Sequence, residues 1–188
     1  MVAPVSVSFS QEIRNLLYAA EGTPVDACMQ CGTCSGTCPA VEFMSHSPRE
    51  IIALIRADAR ADVLSSPTIW CCASCYQCTV RCPRGIDIAG LMYALKRYSM
   101  WKKQYPEDAI GPVFSETFVK TIFRAGRSYE PVLATAYVFT YGVPEMLQEA
   151  YTATSLMLKG RIPLVPPRIK RLENFKRMIG KIIPVGES

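Results

Sequence analysis

The chain has 188 residues, of which 49% are hydrophobic, and a formal net charge of +5. A chain of this length forms one ordinary domain, or one small domain with a substantial extension. Its longest apolar stretches, such as residues 131–143, fall short of the ~20 residues that a bilayer-spanning helix needs, so we expect no membrane span. No secretory signal peptide is recognisable, and we expect an intracellular, reducing compartment.

The amino-terminal part of the chain is predicted to contain a helix, a cysteine run and a second helix. An amphipathic pattern that begins at Ser10, with Ile13, Leu16 and Leu17 on one face, predicts the first helix. The cysteine run has the spacing C-x2-C-x2-C-x3-C-P and comprises Cys28, Cys31, Cys34 and Cys38. The segment Ser47-Pro48-Arg49-Glu50 has the pattern of a capping box and predicts one helix that links this run to the next.

The same cysteine spacing recurs 44 residues later. The second run comprises Cys72, Cys75, Cys78 and Cys82. Asp87 is the predicted N-cap of a long helix that continues to about Tyr105. Beyond that helix the chain has no cysteine. Proline and glycine divide this part into candidate helices over residues 115–125, 130–140, 144–159 and 168–181, with an extended link at 164–167. The pattern predicts a mainly α protein.

The two runs have the ligand spacing of a two-cluster 4Fe-4S ferredoxin. Three cysteines at two-residue intervals place three sulfurs around three corners of a cubane, while the fourth cysteine, followed by proline, ligates the other cluster. The spacing therefore predicts two 4Fe-4S clusters with exchanged fourth ligands. One predicted set comprises Cys28, Cys31, Cys34 and Cys82, and the other comprises Cys72, Cys75, Cys78 and Cys38.

Other uses of the cysteines fit the sequence less well. Zinc sites are usually built from separated C-x2-C pairs, and a disulfide framework is typical of shorter, secreted chains. Cys71, directly before the second run, gives the wrong interval to Cys75 and is predicted to be a spare, small buried residue. The lone histidine, His46, has no companion ligand and is interpreted as a surface or capping residue.

The basic net charge does not by itself indicate a nucleic-acid partner. Eight ligating thiolates and two oxidised cubane cores would bring the formal charge of +5 to about +1. We therefore expect no nucleic-acid role. The sequence has no Gly-rich dinucleotide loop, no Ser/His/Asp set and no free cysteine beyond Cys71, so we also expect no catalytic site of its own in this chain.

The sequence resembles the C subunit of heterodisulfide reductase, the soluble iron-sulfur subunit of methanogens. The resemblance rests on the two cysteine runs, Trp70 just before the second run, the Cys82-Pro83-Arg84-Gly85-Ile86 continuation and the helical linker. The overall length and the Pro-interrupted tail are similar too. The resemblance implies an alpha-helical two-cluster ferredoxin domain over residues 1–105 and a helical, Pro-interrupted carboxy-terminal extension over residues 106–188.

The resemblance also implies an electron relay within an oxidoreductase complex of methanogenesis. Electrons would enter from the flavin-containing A subunit, cross the two clusters and leave to the B subunit, which reduces the heterodisulfide of coenzyme M and coenzyme B. This chain would then be a non-catalytic component of a cytoplasmic enzyme, and a hydrogenase or a formate dehydrogenase would be a further associated partner.

Three other functions remain open at this stage. Helical ferredoxin domains also occur in succinate dehydrogenase and in anaerobic glycerol-3-phosphate dehydrogenase, so the chain could be the electron-transfer subunit of another anaerobic dehydrogenase or oxidoreductase. A free ferredoxin that shuttles between enzymes is a second alternative. A zinc-stabilised interaction module is the third.

The extension is rich in aromatic residues that we expect to be exposed. They are Phe114, Phe118, Phe123, Tyr129, Tyr137, Phe139, Tyr141 and Tyr151. A separate core of this size would barely bury them, so two interpretations stand. The extension either packs on the cluster domain or wraps around a partner subunit.

Overall fold

The structure is a computed structural model that describes residues 8–18, 25–107, 109–141, 154–161 and 168–182. These residues form α-helices, short 3-10 turns and loops, and none of them lies in a β-strand. The predicted mainly α class is confirmed. The chain divides into two compact units, Met1–Ala109 and Ile110–Ser188, whereas the sequence placed a boundary after residue 105.

The first unit contains seven α-helices in its described part. They are α1 (Phe9–Tyr18), α2 (Thr33–Gly36), α3 (Pro48–Arg56), α4 (Arg60–Ser65), α5 (Thr68–Cys71), α6 (Gln77–Val80) and α7 (Ile88–Lys102). Short 3-10 turns lie at Val25–Ala27 and Val41–Phe43. Helix α7 packs against α1 and α5, and α3 packs against α1 and α4.

One hydrophobic core joins these helices. Its fully buried side chains come mainly from α1, α3 and α7 and include Phe9, Ile13, Ile51, Ile52, Ile55, Leu91, Met92 and Leu95. Burying a side chain of this size is worth about 1.5–3 kcal/mol. Ile13 confirms the buried face predicted for the first helix, whereas the side chains of Leu16 and Leu17 lie outside the described residues.

The two predicted N-caps, Ser47 and Asp87, are confirmed. Ser47 and Glu50 form the capping box of α3, in which the Ser47 backbone N–H donates to Glu50 Oε2 at 2.7 Å. This bond from Ser47 lowers the pKa of the Glu50 carboxyl. Asp87 caps α7 by accepting a hydrogen bond from the Gly90 backbone N–H at 2.9 Å. Helix α7 ends at Lys102, earlier than predicted, because Lys103 adopts a left-handed conformation.

The prediction of a single helix between the cysteine runs is wrong, because three separate helices, α3, α4 and α5, occupy this segment. Helix α3 ends because Asp58 adopts a left-handed conformation with φ of 61°. Aspartate tolerates this conformation better than most residues. Its Oδ1 accepts a hydrogen bond from the Ser10 backbone N–H at 2.9 Å, which ties the break to the start of α1. Pro67 then precedes α5.

The second unit contains α8 (Ile110–Ala125), α9 (Glu130–Tyr141) and α10 (Leu172–Ile182), and residues 154–158 are also helical. Helix α8 packs against α9. It begins five residues before the predicted start because Pro112 lies in the first turn, where a missing N–H costs nothing. The predicted helix over 144–159 lies outside the described residues up to position 153, and the predicted link at 164–167 lies wholly outside them.

The aromatic residues of the extension are only partly exposed, although the sequence led us to expect exposure. Phe114 is 51% exposed, but Tyr129 is 8% exposed, so the expectation is wrong for Tyr129. Phe118 and Phe123 are half-buried. The side chains of Tyr137, Phe139, Tyr141 and Tyr151 lie outside the described residues. Among the helices of the described ranges, none combines the length and apolarity required to cross a membrane.

A polar cluster links α1, α4 and α7 beside the core. The Tyr98 hydroxyl donates to Glu12 Oε2, and Arg60 pairs with the same oxygen at 3.0 Å. The Arg60 guanidinium also lies over the rings of Phe9 and Tyr98, at 5.3 and 5.7 Å from their centroids. The Tyr98 hydrogen bond and the Arg60 charge lower the pKa of Glu12, whereas burial, together with the bond to Glu12, raises the pKa of Tyr98 to about 12.

We expect Glu12→Gln to lower the free energy of unfolding at pH 7 by about 1.5–3 kcal/mol, as is typical for hydrogen bonds to a charged group. The folded-state pKa of Glu12 lies below the ordinary value of 4.5. Its contribution is therefore complete above that value and disappears as the pH falls through the folded-state pKa. Anaerobic chemical denaturation of both proteins from pH 7 to pH 3 measures the difference, which should shrink at the acid end.

The matched control is Glu116→Gln. Glu116 forms an ion pair with Lys120 on α8, and its side chain is 53% exposed. An exposed pair of this kind contributes less than about 1 kcal/mol. Equal losses in the two variants, or a Glu12→Gln loss that does not change with pH, would contradict the role assigned to the Glu12 cluster.

Candidate metal centre

Two open cavities lie in the unit Met1–Ala109, and four cysteines line each of them. The first cavity, of about 330 Å3, is lined by Cys28, Cys31, Cys34 and Cys82. The second cavity, of about 420 Å3, is lined by Cys38, Cys72, Cys75 and Cys78. These volumes include space that is open to solvent, so the cysteines line open clefts at the surface of the unit.

The backbone of the two cysteine loops repeats as the sequence does. Gln30 and Ser74, 44 residues apart, both have positive φ, at 59° and 53°. Gly32 and Tyr76, also 44 residues apart, have φ of 80° and 62°. Left-handed residues between right-handed ones turn successive backbone N–H groups towards one side and create a concavity that favours anions. Such a loop suits a sulfide-containing group held by thiolates.

The short helices after each loop place the remaining cysteines. Cys34 and Cys78 are the second residues of α2 and α6, and α2 packs against α6. Because the two helices are neighbours, the cysteine that follows each helix reaches the cavity of the other run. Cys38 thus lines the second cavity and Cys82 lines the first. Ile88, at the start of α7, is buried and lines both cavities.

The thiols differ in their surroundings. Cys31 is exposed, and its Sγ lies 3.3 Å from Thr33 Oγ1, a hydrogen bond that lowers the pKa of Cys31. Burial raises the pKa of Cys34 and of Cys78, and neighbouring thiols act in the same direction. The thiolate is the form that binds metal, so four thiols brought together in a half-buried loop need a cation to compensate their charge.

Several basic side chains surround the loops. An Arg56 guanidinium N–H donates to the Cys28 carbonyl at 3.0 Å, and Lys96 Nζ donates to the Cys72 carbonyl at 2.8 Å. Arg84 Nε donates to the Ala27 carbonyl at 3.1 Å, and both Arg49 and Arg84 line the first cavity. Sequence reasoning assigned no role to these residues. The sequence does contain one signal for Arg84. The residue after the Cys-Pro pair is alanine in the first repeat, at position 40, and arginine in the second, at position 84.

Cys71 and His46 lie apart from the cavities, as their interpretation required. Cys71 is half-buried instead of fully buried, and its Sγ donates to the Phe43 carbonyl at 3.4 Å. The His46 backbone N–H donates to Thr68 Oγ1 at 3.0 Å. Within the described ranges, no three histidine, cysteine or carboxylate side chains meet closely enough to hold a single metal ion. The cysteines instead stand around the walls of the two cavities.

Comparison with known proteins finds a matching family for the segment that contains both cysteine runs. Residues 24–86 match the 4Fe-4S dicluster domain family. The matched range includes all eight cysteines of the two runs, which supports iron-sulfur clusters as the cofactor.

Relatives of known function extend the likeness. The chain is 43% identical over 93 residues to the C subunit of the ferredoxin:CoB-CoM heterodisulfide reductase of Methanosarcina mazei, covering 50% of this chain and 56% of the relative. It is 35% identical over 88 residues to the C subunit of the H2:CoB-CoM heterodisulfide,ferredoxin reductase of Methanothermobacter marburgensis, covering 47% and 45%. It is 34% identical over 100 residues to the iron-sulfur C subunit of the CoB-CoM heterodisulfide reductase of Methanopyrus kandleri, covering 53% and 52%.

The resemblance that the sequence suggested is therefore confirmed. The chain spans about half the length of the curated relatives it matches.

The left-handed glycine of the first loop provides a test of its geometry. Gly32 has φ of 80°, and an L side chain in this conformation costs roughly 1–2 kcal/mol. We expect Gly32→Ala to lower the free energy of unfolding by that amount. The control is Gly36→Ala in the same segment, because Gly36 does not have a positive φ and has no neighbouring atom within 4 Å of an added Cβ. Gly36→Ala should be neutral or stabilising in the same anaerobic denaturation experiment. Equal losses would contradict the described loop.

Proposed function

We propose that this chain holds two 4Fe-4S clusters and relays electrons between other subunits of an oxidoreductase complex. The observation that carries the proposal is the pair of adjacent cavities, each lined by four cysteines of which one comes from the other run. A site with four cysteine ligands and no other ligand type suits a cubane whose task is electron transfer. The match of residues 24–86 to the dicluster domain family supports the same conclusion.

The ligand sets follow the cavities. Cys28, Cys31, Cys34 and Cys82 would hold the cluster of the first cavity, and Cys72, Cys75, Cys78 and Cys38 would hold that of the second. When bound, the clusters supply one-electron transfer. The buried Ile88 lines both cavities, so it would contact both clusters and would help to exclude water from them.

The complex that we propose is a soluble, cytoplasmic heterodisulfide reductase. The names of the relatives support this enzyme. A flavin-containing A subunit would donate electrons, and the B subunit would receive them and reduce the CoM-S-S-CoB disulfide, a step that takes two electrons. A hydrogenase or formate dehydrogenase would be an additional partner. This chain would have no substrate site of its own.

One observation favours a second candidate function. Only about half of each relative is covered, so the matched part could serve as the electron-transfer subunit of a different anaerobic oxidoreductase. Purification of the native complex distinguishes the two. Our proposal predicts that the complex which co-purifies with this chain reduces CoM-S-S-CoB, and a complex with another activity would support the alternative.

We further propose that residues 106–188 dock to the disulfide-reducing subunit. The unit Ile110–Ser188 exposes many large apolar side chains for its size. They include Ile110, Phe114, Val119, Val132, Leu156, Met157, Leu158 and Met178, with Leu158 at 84% exposure. Exposed apolar surface of this extent is typical of interaction sites. The partial burial of the aromatics reduces, but does not remove, the apolar surface on which the proposal rests.

The exchanged ligands can be tested with cysteine variants. We expect Cys38→Ser to alter the same cluster signal as Cys75→Ser, and Cys82→Ser to alter the same signal as Cys31→Ser, because each pair lines one cavity. Electron paramagnetic resonance of the dithionite-reduced, anaerobically purified proteins reads the two signals. Cys71→Ser is the control and should leave both signals and the iron content unchanged.

The opposite pairing would refute exchanged ligation. It would appear as Cys38→Ser resembling Cys31→Ser, and Cys82→Ser resembling Cys75→Ser. A change caused by Cys71→Ser as large as that caused by Cys75→Ser would show that the ligand set itself is wrong.

The docking role can be tested by truncation. A chain that ends at residue 109 keeps all eight run cysteines and α7, so we expect it to retain its iron but to lose co-purification with the disulfide-reducing subunit. The full-length variant Leu158→Glu should weaken the same association without loss of iron. A truncated chain that still co-purifies, or one that loses its iron, would show that the extension belongs to the core of the protein.

A further inference from the structure

The two cavities can be compared position by position, because matched residues lie 44 apart. The first cysteine of each run has one basic side chain at its carbonyl, Arg56 at Cys28 and Lys96 at Cys72, at 3.0 and 2.8 Å. Each cavity thus has one cation at this position, but Arg56 is exposed and Lys96 is half-buried, so solvent screens the Lys96 charge less. The matched cysteines are also exposed to similar degrees, except that Cys34 is buried.

Two further positive charges belong to the first cavity alone. Arg49 and Arg84 line it, whereas every described residue that lines the second cavity is uncharged apart from its thiols. Position 84 follows Cys82-Pro83, and the matched position 40 in the second cavity is alanine. The Arg84 side chain is held by its bond to the Ala27 carbonyl, next to the first ligand.

Hydrogen bonds to sulfur are distributed in the same unequal way. The backbone N–H and the Nε2 of Gln30 both lie 3.4 Å from Cys28 Sγ, and Thr33 Oγ1 lies 3.3 Å from Cys31 Sγ. The matched residues of the second cavity, Ser74 and Gln77, make no such bond in the part of the chain that the structure describes. Charge and sulfur hydrogen bonds therefore differ between the cavities in the same direction.

Both differences act on the reduction potential of a 4Fe-4S cluster. Reduction adds one negative charge to the cluster, so positive charges and hydrogen bonds to sulfur stabilise the reduced form and raise the potential. The burial of Cys34, which removes solvent, and the lower exposure of Lys96 act in the opposite direction. We expect them to be outweighed, because each concerns one group, while two additional cations and three hydrogen bonds favour the first cavity.

We propose that the cluster of the first cavity has the higher reduction potential, so that an electron reaching the second cavity passes to the first and remains there until it leaves the chain. In this step the second cluster loses one electron, the first gains one, and no bond or proton is transferred. The inference rests on the proposed function, because it requires both clusters. It assigns a direction to the relay and gives Arg84 the role of setting it.

Redox titration of the full-length, two-cluster protein, monitored by electron paramagnetic resonance, tests this inference. The protein should show two reduction steps. Arg84→Ala should lower the reduction potential of the higher step. For this one-electron couple, a tenfold fall in the ratio of reduced to oxidised cluster corresponds to a shift of ~59 mV. Arg84→Lys, which keeps the charge, should restore most of the potential. The matched variant Ala40→Arg should raise the lower step instead. Because Arg84 is exposed, the effect should weaken at high ionic strength.

A second pair of variants tests the sulfur hydrogen bonds independently. Gln30→Ser should lower the higher step, and Ser74→Gln, at the matched position, should raise the lower one. If Arg84→Ala and Gln30→Ser instead shift the lower step, or shift neither step, the inference is overturned although the relay itself stands. A protein that contains fewer than two clusters would instead contradict the proposed function, so the two failures are distinguishable.

Discussion

The exchange of one cysteine between the two loops is the constraint on which the rest of the cluster-containing unit depends. A cavity can be lined by three thiols from its own run and one from the other only if α2 and α6 are neighbours. Helix α3 packs against α2 and α4 in the segment that joins the runs, and Ile88 of α7 lines both cavities. Each of the two loops is thus tied to the other, although 44 residues separate them. Replacing the fourth cysteine of one run should therefore affect the site of the other run.

The thiols and the surrounding core are parts of one arrangement. Burial raises the pKa of Cys34 and of Cys78, so binding of their thiolate forms requires compensating positive charge. The isoleucine-rich core from α1, α3 and α7 extends to the cavities, because Ile52 lines the first and Met92 lines the second. The Glu12–Tyr98–Arg60 cluster joins α1, α4 and α7 beside this core. The basic side chains at the loop carbonyls then adjust the electrostatics of each cavity separately.

The sequence predicted the helical class, both helix N-caps and the grouping of cysteines into two cavities, because these features follow from local spacing and known ligand geometry. It did not predict the break of the linking segment at Asp58, since the left-handed turn depends on a tertiary hydrogen bond to Ser10. It missed the burial of Tyr129 for a similar reason, because burial depends on tertiary packing and not on the local pattern of residues. The sequence repeat shows that positions 40 and 84 differ in charge. Only the structure shows that Arg84 lines a cavity and can therefore act on a group bound there.

The measurement that tests the central claim most directly is the iron and sulfide content of the anaerobically purified chain, combined with the magnetic resonance spectrum of its reduced form. Two neighbouring 4Fe-4S clusters predict about eight iron and eight labile sulfide per chain, with spectral splitting from two interacting spins. Four iron per intact chain, two clusters without magnetic interaction, or zinc in place of iron would contradict the account.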